Sequence, residues 1–325
     1  MKKYFLLFFT VLLVACSPKK EMQTINFEGF VFGTTYHITL QTDLEFDYQK
    51  SIDSLFFLVN KSTSTYIPTS DISKINLGDS TIIVDDIFKE VFKKSKQIFK
   101  ETNGYFDPTV GDLVNAWGFG PKERKKEIAD EEVERMMQFV GLDKVQLKDG
   151  KIQKDFKETF LDFNSIAKGF GIDVIGRFLE SKNVKNYLIE IGGEIRAKGK
   201  NKEGNFWKVA IEKPNTDGTQ SFQSAIQLEN ESMATSGNYR KFRITKDGKK
   251  YVHTVNPKTG FATESDLLSV SVISNSDCAD VDAYATAFMA MGFEKTIAFL
   301  KRSSSIKVVL IYLDKYNSFK EYRNF

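Results

Sequence analysis

The sequence predicts an α+β fold with mixed or antiparallel sheets flanked by helices. In the second half of the chain, short strand-like segments outnumber helical ones and often follow one another directly. Turn signals that suit two-residue hairpins stand at Gly192-Gly193 and at Asp247-Gly248. No internal repeat and no linker-like segment interrupts the body of the chain, so only a possible subdomain split near residue 160 is indicated.

The first half predicts one hairpin and three helices. Residues 27–42 alternate and are rich in Phe, Val, Ile and Thr, which predicts a strand or a hairpin with Gly33 at its centre. Apolar residues at helical spacing predict the helices, with Asp130 as the N-cap of the third. These helices span residues 48–60, 86–102 and 130–140.

The second half predicts mostly strands, with three further helices. The predicted strands are 145–147, 159–162, 187–191, 194–198, 207–211, 224–228, 241–245, 252–255, 268–273 and 306–313. The predicted helices are 165–182, 277–291 and 294–300.

The N-terminus is typical of a targeting signal. Two lysines precede an apolar run, residues 4–14, that is too short to span a bilayer with margin. The run ends in small residues directly before Cys16, an arrangement that resembles a bacterial lipoprotein signal. We therefore expect a signal peptide over 1–15, acyl chains on Cys16, a tether over 16–26 and a folded domain over 27–325. An ordinary secretory signal with an incidental cysteine is the alternative.

Composition limits the classes of protein. Removal of residues 1–15 leaves 44 basic and 43 acidic residues, a formal charge of +1, so no broad basic field for nucleic acid is expected. If Cys16 carries lipid, only Cys278 remains, and one thiol cannot form an internal disulfide. An apolar content of 41% can supply a core instead.

Four short polar stretches, rich in turn residues, carry the residue types that hold a metal ion and a nucleotide. Small and polar residues contribute little to a core, so their spread along the chain suggests one site assembled by the fold. The four stretches are residues 103–111, 162–169, 253–260 and 280–286.

Asp282 and Thr286 form the candidate metal pair. They are four residues apart on a predicted helix and therefore share one face. A carboxylate and a hydroxyl are hard oxygen ligands of the kind that Mg²⁺ prefers. The alternative is that Asp280 and Asp282 only favour the helix dipole of a first turn.

Residues 162–171 end a predicted strand and open a helix, whose free N–H groups attract phosphate. Gly169 and Gly171 would each cost that helix about 1 kcal/mol relative to Ala. Their presence indicates close approach of a ligand or another chain, or tight packing of the helix on a sheet. The spacing matches neither the P-loop nor the dinucleotide fingerprint.

Three further side chains have both a binding and a structural interpretation. Asp107, on a loop stiffened by Pro108, can accept an N–H from a bound ring or can cap its own turn. His253, before a Pro–Gly turn, can act beside a phosphate or be structural, whereas His37 is expected to be structural. Tyr66, on a polar loop, can stack on a flat ligand.

Together these segments resemble the ApbE family of FAD:protein FMN transferases, in the same order and over nearly all of the mature chain. Each match is short, but eight of them in register make the joint likeness specific. The matching segments are residues 33–34, 64–66, 105–118, 162–169, 191–193, 234–237, 253–260 and 279–286.

The resemblance implies two intertwined subdomains with FAD in the cleft between them and Mg²⁺ at the pyrophosphate. FMN would pass to a threonine or serine hydroxyl of a target protein while AMP leaves. The likeness also implies a lipid-anchored protein of the bacterial cell envelope that faces the periplasm. Its acceptors would belong to membrane redox systems such as the sodium-pumping quinone reductase (Nqr) and Rnf-type complexes.

The resemblance also assigns residues. Asp282 and Thr286 would ligate Mg²⁺ with main-chain oxygens of Ser165 and Ala285, and Asp282 and His253 are the expected catalytic residues. Phe32 stands where many members have Met before Gly-Thr, which we interpret as altered packing with function retained. The expected FAD-binding residues are Phe32, Tyr66, Tyr105, Phe106, Asp107, Asp162, Lys168, Thr254 and Val255.

Three activities are compatible with such a site. Besides transfer to protein, water could be the nucleophile, which would make the chain an FAD pyrophosphatase that releases FMN and AMP. A flavin-binding lipoprotein without catalysis is the third. The acceptor's proton could pass to a carboxylate or to His253, and the sequence does not choose between them.

Overall fold

The computed structural model describes residues 21–120, 128–213, 221–238, 242–244, 250–262, 266–316 and 318–325. The described strands are β1 Gln23–Val31, β2 Thr34–Thr42, β3 Val145–Lys148, β4 Lys151–Lys154, β5 Asn186–Ile191, β6 Glu194–Lys198, β7 Trp207–Lys213, β8 Ser221–Leu228, β9 Ser232–Gly237, β10 Phe242–Ile244, β11 Lys250–Val252, β12 Leu267–Ser274, β13 Lys307–Leu313 and β14 Phe319–Arg323. The described helices are α1 Tyr48–Thr63, α2 Asp71–Asn76, α3 Asp86–Glu101, α4 Gly111–Ala116, α5 Asp130–Met137, α6 Ala167–Ser181, α7 Cys278–Met291 and α8 Phe293–Leu300.

An eight-stranded sheet organises the molecule, in the order β1-β2-β5-β6-β9-β12-β13-β14. Every pair of neighbours in it is antiparallel. The N-terminal hairpin joins strands of the second half because β2 pairs with β5. The α+β prediction is therefore confirmed, while the split near residue 160 stays a prediction.

The two faces of this sheet bury different partners. Side chains of successive strand residues point to opposite faces, so Val272 packs in the core beneath the helices, whereas Ile273 packs against the β7–β8 hairpin. A third, smaller core surrounds Trp117 and Val133, next to α4 and α5. Over the described residues, no helix has both the length and the apolar character needed to cross a bilayer.

Several predicted boundaries differ from the structure. β1 begins at Gln23, so residues 23–26 belong to the strand and not to the tether. The N-cap of α5 is Ala129, in extended conformation, and Asp130 is the first helical residue. That helix ends at Met137 rather than at residue 140.

The predicted strand over 159–162 does not form. A single bridge joins Phe160 to Val110, and the side-chain amide of Asn76 takes both backbone groups of Leu161, at 2.8 Å each. This segment is thus held by one isolated bridge and by the last residue of α2. The hairpin signal at Asp247-Gly248 lies outside the described residues, as do Cys16 and the signal peptide.

Elements that the sequence analysis missed are short and carry little apolar pattern. They are the helices α2 and α4 and the strands β4, β9 and β14.

Candidate functional site

The contact between α6 and α7 is close because α6 presents a glycine. A Cβ on Gly169 would lie 2.4 Å from the carbonyl oxygen of Cys278 and 2.8 Å from Cα of Ala279. No side chain fits that gap, so tight packing against a helix explains Gly169. Gly171 has a different neighbour, since its Cβ would lie 2.5 Å from the Phe32 ring.

Asp282 is buried at this contact. Its Oδ2 accepts a hydrogen bond of 3.2 Å from the backbone N–H of Gly169. Burial raises the pKa of Asp282, while Lys168 and the Gly169 N–H act against that rise. The predicted alternative, a carboxylate that only favours the helix dipole, does not describe a side chain so placed.

Lys168 and Glu194 complete this buried charge cluster. Lys168 Nζ donates to Glu194 Oε1 at 2.8 Å, and the other oxygen, Oε2, is buried without a hydrogen-bond partner among the described residues. Burial disfavours the ammonium, yet Asp282 and Glu194 hold the pKa of Lys168 above its usual range. Burial raises the pKa of Glu194, against the opposing effect of Lys168. Lys168 is thus paired with Glu194 and also interacts electrostatically with Asp282.

Thr286 lies one helical turn after Asp282. Its hydroxyl is 3.4 Å from the Ser236 hydroxyl on β9, at the same side of α7 as the sheet. Residues 168–169, 194 and 282–286 are therefore brought together, and we call Lys168, Gly169, Glu194, Asp282 and Thr286 the inner cluster.

The predicted main-chain ligands differ in their surroundings. Helix α6 begins at Ala167 with Ile166 as its N-cap, two residues later than predicted, so Ser165 lies outside the helix. The N–H of Gly169, four residues after Ser165, donates to Asp282 and not to the Ser165 carbonyl. Ala285 is instead fully buried inside α7, where a carbonyl ordinarily belongs to the helical ladder.

The inner cluster fits a divalent cation by the chemistry of its donors. Across the described ranges, no three His, Cys, Asp or Glu side chains lie close enough to hold a metal by themselves. A site here would combine one carboxylate with hydroxyl, carbonyl and substrate oxygens, as suits Mg²⁺. A cation would offset the excess carboxylate charge around Lys168, and it would lie near the orphaned Glu194 oxygen.

A second group of residues forms a layer of loops beside the start of α6. Asp162 N donates to the Pro108 carbonyl at 2.7 Å, and Asn164 Nδ2 donates to Thr65 Oγ1 at 3.2 Å. A Cβ on Gly111 would lie 2.5 Å from Cβ of Asp162, so only glycine allows this approach. We call residues 64–66, 107–111 and 162–164 the loop layer.

Tyr66 and Asp162 both belong to the loop layer and interact electrostatically. Tyr66 is 60% exposed, and its pKa is raised by partial burial and by the Asp162 carboxylate. Burial raises the pKa of Asp162 to about 6, although its Oδ1 accepts the Asn164 N–H at 2.9 Å. An exposed ring next to a carboxylate can receive a flat, hydrogen-bonding ligand.

Asp107 points inward and holds its own loop. Its Oδ1 accepts from the Thr109 N–H and hydroxyl at 2.9 and 2.6 Å, and its Oδ2 accepts from the Leu142 N–H at 3.3 Å. Burial raises its pKa to about 6 despite these bonds. The turn-capping alternative therefore describes this structure, and Phe106 beside it is 1% exposed in the main core. Contact of either residue with a ligand stays a prediction.

Tyr105 lies where two of the polar stretches meet. Lys295 Nζ donates to its hydroxyl at 2.7 Å, and the Lys258 ammonium lies 5.8 Å from the ring centre. A Cβ on Gly104 would lie 2.7 Å from Lys258 Nζ. The turn at 256–260 is thus packed on the loop that follows α3.

His253 and its neighbours follow β11. The Thr254 hydroxyl donates to Asn238 Oδ1 at 2.8 Å, and Asn238 directly follows the end of β9, the strand that carries Ser236. Val255 is buried in the third core, so it supports the loop from beneath. His253 is partly buried, and its action on a substrate stays a prediction.

Phe32 occupies the tip of the β1–β2 hairpin. Its φ of 52° is in the left-handed region, as is the 77° of Gly33, and a two-residue turn of this kind suits the twist of a hairpin. The ring packs edge-on against Phe56 at 5.6 Å and lies over Gly171. It also lines a groove of about 540 Å³ with the exposed Phe30 and Phe57.

Glu194 is the member of the inner cluster that the sequence analysis missed. It directly follows the Gly192-Gly193 hairpin, both of whose glycines have positive φ. A charged side chain in the otherwise buried start of β6 was the available signal.

Comparison with known proteins identifies the family. The family model of the ApbE family matches residues 32–310. The chain belongs to the ApbE family. The family resemblance and the ApbE-like α+β fold are thereby confirmed, and so is the expectation of a transferase enzyme.

Curated ApbE relatives and solved ApbE structures match most of the chain. The FAD:protein FMN transferases of Haemophilus influenzae and Vibrio cholerae are each 35% identical, over 93% and 96% of this chain and 90% and 94% of theirs. The flavin transferase ApbE structure from Vibrio cholerae has a TM-score of 0.84 at 34% identity and covers 93% of this chain and 97% of its own. The flavinyl transferase ApbE of Pseudomonas stutzeri, in its apo form, has a TM-score of 0.82 at 28% identity, covering 93% and 95%.

Proposed function

We propose that this protein transfers FMN from FAD to a threonine or serine hydroxyl of a target protein, with Mg²⁺ bound at the inner cluster. The acceptor oxygen forms a bond to the phosphorus on the FMN side of the pyrophosphate, the bond to the bridging oxygen breaks, and AMP leaves. The hydroxyl proton passes to His253 or to a carboxylate of the site.

The observation that carries this proposal is the Asp282 carboxylate, buried and held by the Gly169 N–H one turn before Thr286. Bound there, Mg²⁺ would offset the negative charge of the pyrophosphate and of the departing phosphate. The residues of the chain align donor and acceptor, since phosphoryl transfer asks little covalent chemistry of the protein.

The charges of the inner cluster suit this task. Lys168 pairs with Glu194 and acts against the rise in the pKa of Asp282 that burial causes, so it favours the ionised form of Asp282. An ionised Asp282 is required for a metal ligand. The loop layer, with Tyr66 exposed and Asp162 beside it, suits the rings of the dinucleotide.

The proposed acceptors are flavin-carrying subunits of envelope redox complexes of the Nqr or Rnf type, and the proposed location is the periplasmic side of a membrane. The sequence signal around Cys16 supports the location. Labelled palmitate should enter the wild-type protein in cells and should fail to enter Cys16→Ser. Equal labelling of the two would contradict the anchor.

The activity is tested by incubating the protein with FAD, Mg²⁺ and a purified acceptor subunit, followed by intact-mass measurement of the acceptor. The expected result is an acceptor heavier by one FMN, AMP in equal amount, and neither product in the presence of EDTA. Free FMN with unmodified acceptor would assign a pyrophosphatase instead. FAD that binds without Mg²⁺ and stays intact would assign a non-catalytic flavin-binding protein.

A further inference from the structure

The N-terminus of α7 is capped by a residue of another helix. Asp173 of α6 is fully buried, and its Oδ1 and Oδ2 accept the backbone N–H groups of Cys278 and Ala279 at 2.8 Å each. Asp277, which directly precedes α7, makes no side-chain capping bond. The first N–H groups of α7 are therefore satisfied across the helix interface.

A network of ion pairs holds Asp173 in this capping position. Arg196 Nη1 donates to Asp173 Oδ1 at 2.5 Å and to Asp277 Oδ1 at 2.9 Å. Lys94 of α3 and Arg177 of α6 lie 3.0 and 2.8 Å from Asp277 Oδ2. We call Asp173, Arg196 and Asp277 the terminal clamp.

Asp173 of the terminal clamp and Gly169 of the inner cluster lie on one face of α6. Asp173 is four residues after Gly169, so the two lie one turn apart on that face. Gly169 binds Asp282, and Asp173 binds the start of the same helix, so α6 holds α7 at two points. The position and rotation of α7 are thus fixed where Asp282 and Thr286 present their oxygens.

We propose that Asp173 is a positioning residue for the metal site, because its cap on α7 sets the geometry of the Asp282 and Thr286 oxygens. The inference rests on the proposed function for the identity of the ion, Mg²⁺, and for its use in transfer. Asp173 is not one of the proposed metal ligands.

The test compares carboxylate-to-amide changes in one network. Asp173→Asn keeps the volume, but its amide N–H₂ cannot accept a second backbone N–H. Mn²⁺ binding to the folded full-length chain, measured by electron paramagnetic resonance, should weaken about 10-fold. The half-saturating Mg²⁺ for FAD cleavage should rise by the same factor, with kcat restored at saturating Mg²⁺.

Glu180→Gln is the matched control. Glu180 also contacts Arg196, at 3.4 Å, and its other side-chain partners among the described residues, Tyr187 and Lys198, lie outside α7. Its Mn²⁺ affinity should stay within about twofold of wild type. Equal weakening of Mn²⁺ binding in Glu180→Gln and Asp173→Asn would mean that the effect comes from general destabilisation of the ion-pair network. That result would overturn the proposal.

Asp277→Asn covers the case in which Asp173→Asn fails to fold. It removes one carboxylate of the terminal clamp and leaves both capping bonds, so a shift of about threefold is expected. Wild-type Mn²⁺ affinity in folded Asp173→Asn, or in Asp277→Asn if the former does not fold, would overturn the proposal. If Asp173→Asn weakens Mn²⁺ binding but the wild-type protein cleaves no FAD, the positioning role is supported and the proposed function is contradicted.

Discussion

The inner cluster and the loop layer adjoin along one stretch of chain but are built in different ways. The inner cluster is held by two helices and a strand, in contact through backbone, and both of its carboxylates are buried. The loop layer is held by hydrogen bonds between connecting segments, with Asn164 and Thr65 on its surface and Tyr66 60% exposed. We therefore expect the inner cluster to keep a fixed geometry and the loop layer to adjust its conformation.

In the proposed function, this difference would correspond to two tasks of one site. Charge stabilisation depends steeply on distance and is strongest where water is excluded, so its groups belong on rigid elements. Ring recognition tolerates small shifts, because stacking is broad in geometry. A change in the inner cluster should therefore affect turnover, and a change in the loop layer should affect substrate affinity.

The largest effect is expected for Asp282→Asn. The amide keeps the shape but loses the charge that a divalent ion needs, so Mg²⁺-dependent turnover should fall at least about 100-fold. The FAD-cleavage rate across a Mg²⁺ titration measures it. Asp280→Asn is the control, since Asp280 lies on the same helix as Asp282 but pairs with Lys94 of α3, and its turnover should stay within about threefold of wild type. Similar losses in the two variants would remove the distinction between this cluster and its surroundings.

The helix contact can be broken by a single methyl group. Gly169→Ala places Cβ against the Cys278 carbonyl, and backbone must move, which should cost roughly 2–3 kcal/mol of unfolding free energy. Gly171→Ala makes the same change two residues later, against the Phe32 ring, which can turn aside. It should cost less, about 1 kcal/mol. Urea unfolding of both variants measures the difference, and equal costs would mean that the α6–α7 backbone contact is not the tighter one.

Much of the inner cluster could be predicted because four of its five members lie in two short segments, residues 168–169 and 282–286. Asp282 and Thr286 share a helix face by spacing alone, and Gly169 is anomalous in a helix. Glu194 could not be placed, since its contact with Lys168 depends on how β6 pairs in the sheet. Asp173 could not be predicted either, because a cap that comes from another helix leaves no sequence pattern near the helix N-terminus that it caps.

The loop layer shows a different failure of sequence reasoning. Residues 159–162 have the composition of a strand but find no full-length partner, and the side chain of Asn76, in the missed helix α2, takes their hydrogen bonds instead. Pairing is a tertiary property, so propensity cannot report it. Asp107 had two interpretations, and only the position of Thr109 and Leu142 shows that its carboxylate holds the loop.

The smallest effect is expected in the loop layer, for Tyr66→Ala. Tyr66→Ala should raise the KM for FAD about 5-fold with kcat nearly unchanged, since stacking contributes about 1 kcal/mol and lies away from the reacting phosphorus. Tyr66→Phe keeps the ring and should change KM by less than about twofold. Tyr316→Ala, at another exposed tyrosine, controls for loss of surface area. Steady-state kinetics at saturating Mg²⁺ separate the two constants. A fall in kcat with constant KM would mean that Tyr66 acts in turnover, as the inner cluster is expected to do. The inner cluster and the loop layer would then not divide turnover and substrate affinity between them.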